Sequence, residues 1–148
     1  MNWIFWKPHF NAAEKETIKL AIQKAESNTS GEIRVFVENR CKSENTIHRA
    51  TECFFKFNMQ NTQLKNGVLI YIAIKDKKFA IIGDSGINEM VSDNFWDSEK
   101  ECMKSYFKNG KIIEGIEASI LKVGEQLKQF FPHQSNDTNE LNDDIIIG

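Results

Sequence analysis

The segment Asn66-Gly67-Val68-Leu69-Ile70-Tyr71-Ile72-Ala73-Ile74 decides the fold. Apolar residues follow one another without alternation, and many are β-branched or aromatic. Such a run reads as a central strand covered on both faces. Upstream, Glu32-Ile33-Arg34-Val35-Phe36-Val37-Glu38 forms a second strand with Ile33, Val35 and Val37 on one face. Between them lie a polar stretch, Asn39 to Asn45, and a helical pattern from Thr46 to Met59 that carries Ile47, Ala50, Phe54 and Phe57. Strand, helix, strand is the signature of a parallel crossover. Downstream, Lys75-Asp76-Lys77-Lys78 reads as a tight turn into Phe79-Ala80-Ile81-Ile82, which then pairs antiparallel with the central strand.

Helices complete the layers. Asn11 caps the first one, with Glu14 in the capping-box position, and Ile18, Ala21, Ile22 and Ala25 form its apolar stripe. The stretch Ser27 to Gly31 ends it. A short helical turn is expected from Ile87 to Met90. A further helix is expected from Asn94 to Phe107, capped by Ser92 or Asp93. A long one from Lys111 to Phe131 turns Ile112, Ile113, Ile116, Ile120, Val123 and Leu127 inward and stops at Pro132. The expected class is α/β: a three-layer α/β/α sandwich with a small mixed β-sheet flanked by helices on both faces. One domain spans residues 1–132, and an acidic tail spans 133–148.

Composition bounds the function. The chain has 148 residues, with 19 Lys and Arg against 21 Asp and Glu, a net charge of −2. That balance lacks the basic face of a nucleic-acid binder. The three cysteines, Cys41, Cys53 and Cys102, and the scattered His9, His48 and His133 match no zinc spacing. They read as reduced thiols. The opening Trp3-Ile4-Phe5-Trp6 is apolar but lacks the pattern of a signal peptide, and no run reaches the ~18 apolar residues of a membrane span. It reads first as core packing, and otherwise as a cover for a sheet face or a partner. A cytoplasmic protein without a membrane span is expected. The tail carries four acids and no Lys or Arg; its Leu141 and Ile145-Ile146-Ile147 fit either solvated disorder or docking on the body.

Topology suggests where chemistry sits. If the first two strands are parallel, Glu32 and Asn66-Gly67 lie at their starting edge. The third strand runs backwards, so Gly83-Asp84-Ser85-Gly86 returns to that edge. Glu32, Asp84 and Glu89 are therefore candidate ligands for calcium or magnesium, which prefer carboxylate and carbonyl oxygens. The competing reading is purely structural: Gly83 and Gly86 supply turn conformations and Asp84 caps the turn that follows. The opposite edge carries Glu38, Asn39, Arg40 and Asp76, where Arg40 with Lys42 suits an anion. No GxGxxG or GxxxxGK[ST] loop occurs, so no nucleotide, flavin or haem is expected. Ser85 lies outside any GxSxG elbow, and no catalytic residue is assigned.

Several segments together resemble the TPM domain family. They are Ser30-Gly31-Glu32-Ile33-Arg34-Val35, Asn66 to Tyr71, Lys78 to Glu89, Phe95-Trp96, Tyr106 to Gly110 and Glu114-Gly115. The ending Asn139-Glu140-Leu141-Asn142-Asp143-Asp144 is similar to the tail of short bacterial members. The resemblance implies an α/β/α sandwich. It also implies a link to calcium or related divalent ions and, from plant members, acid phosphatase activity. The expected role is thus a divalent-cation binding and protein-interaction module, with an unidentified protein partner. The alternative is a weak metal-assisted acid phosphatase. Many membrane-linked members carry an uncharged aromatic residue where this chain has Asp84-Ser85.

Overall fold

The computed structural model of the chain describes residues 8–134 and 139–148. The apolar Trp3 to Trp6 stretch lies outside them. The sheet has β1 (Glu32–Glu38), β2 (Gly67–Ala73), β3 (Lys78–Gly83) and β4 (Ile146–Ile147), in the order β3-β2-β1-β4. Every residue of β2 is buried, as its unbroken apolar run predicts. β1 pairs parallel with β2, Glu32 opposite Gly67, and β3 pairs antiparallel with β2, Val68 opposite Gly83. β4 comes from the tail and lies parallel to β1, Phe36 opposite Ile146. That register gives Ile145 and Ile147 to one face and Ile146 to the other, so the tail docks through its apolar end.

The larger core lies between the sheet and α1 (Ala12–Glu26), α4 (Asp97–Lys108) and α5 (Ile112–Phe130). Ile33, Val35 and Val37 of β1 point into it, opposite Ile18, Ile22, Ile116, Ile120 and Val123. The smaller core lies on the other face, where α2 (Thr46–Lys56) sets Ala50, Cys53 and Phe54 against Phe36, Leu69 and Tyr71. Helices thus cover both faces. The N-cap of α1 is a full capping box: Asn11 Oδ1 accepts from the Glu14 N–H at 2.8 Å, and Glu14 Oε1 accepts from the Asn11 N–H at 2.9 Å.

Three elements differ from the sequence reading, the first being the short turn expected at Ile87 to Met90, which runs Ser85–Asn88 because Asp84 caps it. Helix α2 stops at Lys56 rather than Met59, because Asn58 takes a left-handed φ of 56° that turns Met59 into the smaller core. Helix α4 starts at Asp97, not Asn94, and neither Ser92 nor Asp93 caps it. Trp96 instead occupies the N-cap with its side chain 7% exposed, and Phe95 packs edge-on against it with centroids 4.7 Å apart. Burying this aromatic pair takes precedence over capping, while Asp97 and Glu99 in the first turn still complement the helix dipole. The glycine reading also changes. Among described glycines only Gly110 has a positive φ. The helical turn α3 (Ser85–Asn88) needs Gly86 for space: a Cβ there would run into the Leu64 and Lys65 carbonyl oxygens.

Candidate functional site

Both ends of the β1–β2 pair bury carboxylates. At the end where the strands start, the α1–β1 connection turns sharply and brings Glu26 beside Glu32. Glu26 Oε2 accepts from the Ile33 N–H at 2.8 Å. Glu32, only 3% exposed, accepts through Oε1 from the Glu140 N–H at 2.5 Å. The tail crosses this edge. Asn139 donates from Nδ2 to Asp143 Oδ2 at 3.0 Å, and Glu140 Oε2 accepts from the Gln63 N–H at 3.1 Å. Lys19 pairs with Asp144 at 3.5 Å. Leu141 fixes the crossing by packing on the smaller core.

The electrostatics of this cluster are unfavourable to ionised carboxylates. Burial, reinforced by a hydrogen bond to Asp143 and by the charges of Glu32 and Asp143, pushes the Glu26 carboxyl up to about 10. Burial also raises Glu32, opposed by the Glu140 N–H and a hydrogen bond from Glu26. As described, Glu26 therefore holds a proton at neutral pH and shares it with its neighbours. Among the described residues no Lys or Arg forms an ion pair with Glu26, Glu32 or Asp143. Arg34 is close enough for Asp143 and Asp144 to act on it, but its Nη2 donates to the Asp144 carbonyl and its Nε is buried without a partner. Three oxygens at this edge are also buried without a hydrogen bond between protein groups: Asp143 Oδ1 and Asn66 Oδ1 near the tail, and Asp84 Oδ2. A cleft of about 120 Å³ opens here between Glu26, Glu32, His133 and Asn139.

Of the three residues expected to converge from sequence, only Glu32 belongs to this cluster. Asp84 does return to the same sheet edge, where its N–H donates to the Gly67 carbonyl at 3.0 Å. Its side chain, however, lines a different cleft, and its Oδ1 accepts from the Ser85 N–H at 2.7 Å. That is the capping geometry of the structural reading. Glu89 is exposed at the C-cap of α3. Glu26 and Asp143 escaped the sequence reading, although Glu26 carried a signal. It is a carboxylate on the last residue of a helix, where the dipole disfavours negative charge. Among the described residues, no three His, Cys, Asp or Glu side chains stand so as to hold a metal ion as they lie.

The opposite end is closed by an internal cation. Arg49 of α2 grips Glu38 with two hydrogen bonds, Nε to Oε2 at 2.9 Å and Nη2 to Oε1 at 3.0 Å. The Tyr71 hydroxyl donates to Glu38 Oε2 at 2.5 Å. Arg40, a candidate anion ligand, pairs instead with Asp76 at 2.9 Å, whose other oxygen accepts from the Cys41 N–H at 2.6 Å. The three cysteines are free thiols. Among the described residues no helix is long and apolar enough to cross a membrane.

Comparison with known proteins agrees with this architecture. No curated protein matches the chain. Among solved structures, the NMR structure of the BA42 protein from the psychrophilic bacterium Bizionia argentinensis is 42% identical. It matches with a TM-score of 0.86 over 94% of this chain and 95% of that one. The solution structure of the N-terminal domain of cg2496 protein from Corynebacterium glutamicum is 11% identical. Its TM-score is 0.64 over 90% of this chain and 83% of that one, a likeness of fold alone. The TPM domain model matches residues 9–126. With its α/β/α layers and the Ser30 to Val35, Asn66 to Tyr71 and Lys78 to Glu89 segments all inside that span, the chain belongs to the TPM domain family.

Proposed function

We propose that the protein binds a divalent cation, calcium or magnesium, at the edge where the acidic tail crosses the start of β1. The ligands are Glu26, Glu32 and Asp143, with oxygens of Asn66, Asn139 and Glu140 within the same neighbourhood. The observation that supports this most is the cluster of Glu26, Glu32 and Asp143, which has no ion pair from Lys or Arg among the described residues and whose Asp143 Oδ1 has no donor beyond the proton of Glu26. Buried oxygens without donors are costly, and a hard cation satisfies several of them at once. In the hydrogen-bonded arrangement a proton on Glu26 does part of that work. A cation would displace the proton and draw the carboxylates towards itself, so binding and deprotonation are linked. Asp84 and Glu89 lie outside this ligand set. Because α1, β1 and the tail each contribute ligands, the ion would fasten the tail to the body.

Calorimetric titration with calcium and then magnesium in two buffers of different ionisation enthalpy tests this. The expected result is saturable binding with release of about one proton per ion near neutral pH. Glu26→Gln with Asp143→Asn should abolish both. Heat unchanged in that double variant would refute the site. An aryl-phosphate assay on the same samples addresses phosphatase chemistry, which would need the ion to activate water. Turnover that follows ion occupancy would extend the proposal to an enzyme.

A further inference from the structure

β3 is the outer strand on one side of the sheet. The Asp84 N–H to Gly67 bond and the pairing of Ile82 with Leu69 and Ala80 with Tyr71 fix which backbone groups face β2. Residues alternate, so the N–H and C=O of Phe79, Ile81 and Gly83 point away from the sheet. Asn88 Nδ2 takes the Gly83 carbonyl at 3.0 Å. Among the described residues nothing pairs with the outward groups of Phe79 and Ile81.

A cleft of about 650 Å³ opens over this edge. Its wall includes both Ile81, which belongs to the larger core, and Ile82, which packs on the smaller one. The cleft therefore straddles the strand edge rather than lying on one sheet face. On one side α2 offers Ile47 and Phe55, 49% and 55% exposed; on the other stand Val91 and Trp96. The charged residues of the lining are Asp84 and Asp93, with no Lys, Arg or His. An open edge of this kind is a template for another strand. Helical segments line it on both sides, and a second copy of the chain would bring the same acidic lining against its own. A slim extended chain with basic residues meets no such repulsion.

We propose that the cleft over β3 binds an extended segment of a partner protein, with Lys or Arg flanking apolar residues, as an added strand of the sheet. Main-chain bonds to Ile81 in the cleft, and to Phe79 just beyond its lining, give affinity. Alternate apolar side chains enter the Ile47/Phe55 and Val91/Trp96 walls, and the basic residues face the acidic end of the cleft, where Asp93 is exposed and Asp84 is held by its cap. This reading is independent of the cation site.

The probe is an end-blocked hexapeptide, Lys-Val-Ile-Thr-Val-Lys, titrated to millimolar concentration into isotopically labelled full-length protein. Two analogues accompany it, one N-methylated at its central Ile and one with Glu replacing both Lys. The expected result is saturable amide shifts over Phe79 to Gly83 and slowed exchange of the Ile81 N–H. Affinity should fall about tenfold for each analogue and weaken in Asp93→Asn, an exposed position whose change spares the core. No shift at β3 would overturn the proposal. So would equal binding of the N-methylated analogue, which would leave side-chain contact alone. Concentration-dependent β3 shifts with a doubled sedimentation mass in the absence of peptide would assign the edge to a second copy and overturn it as well.

Discussion

Where β1 ends, Glu38 meets Arg49 and Tyr71; where β1 starts, Glu32 meets Glu26, Asp143 and the backbone of the tail. Both regions bury carboxylates beside the same pair of strands. At the first, the chain supplies its own cation in bidentate geometry, and every oxygen of Glu38 has a donor. At the second, Glu26, Glu32 and Asp143 meet N–H donors and a shared proton but no ion pair among the described residues, with Arg34 near Asp143 yet bonded to the Asp144 carbonyl, and Asn66 Oδ1 has no partner. A buried charge with an internal partner is a fixed structural lock. A buried charge without one is a place for something from outside. The contrast separates a structural cluster from a functional one although the residue types are nearly the same.

The sharpest break comes at the closed end. Arg49→Met should cost about 3–5 kcal/mol in chemical denaturation, because it strands Glu38 as a buried charge. Tyr71→Phe removes one hydrogen bond to a charged group and should cost about 1–3 kcal/mol. Neither should alter cation binding. At the open end the largest effect should come from the ion itself: at a hundredfold excess over Kd, stability should rise by about 2.7 kcal/mol, read as a higher Tm. The Glu26→Gln/Asp143→Asn variant should show no such rise.

How far this was legible in the sequence depended on the kind of signal. The β2 run and the β1 pattern fixed both strands and their parallel crossover, because burial on two faces leaves no alternation. The Asn11 box fixed the start of α1, because capping is local. Helix α4 was misplaced because burial of Trp96 overrode a good local cap. Topology correctly brought Glu32 and Asp84 to one edge, but adjacency of strands does not say which way side chains point. Asp143 joins the cluster only because Leu141 and Ile146 dock the tail. That is a tertiary event with no local pattern.

Acidity provides a finer comparison. The metal-free protein holds a proton on Glu26 up to about 10, against a carboxylate value of 4.5 when unfolded. The native state thus binds more protons between those values, and this contribution to stability falls as pH rises through that window. Thermal melts in chelator should show Tm declining from pH 5 to 9, with the slope reduced in Glu26→Gln. With calcium present the trend should flatten or reverse, since the ion requires the deprotonated form. The smallest effect belongs to Asp84→Ala. It removes the α3 cap, for about 1 kcal/mol, and should leave ion binding intact.

The most direct test is a calcium and then magnesium titration of labelled protein followed by amide NMR. The account predicts saturable shifts at Glu26, Glu32, Asn66 and Asn139 to Asp144, absent in the Glu26→Gln/Asp143→Asn variant, with Glu38, Arg49 and Tyr71 unmoved. Silence at Glu26, Glu32 and Asp143, or shifts clustered instead at Asp84 and Glu89, would contradict it.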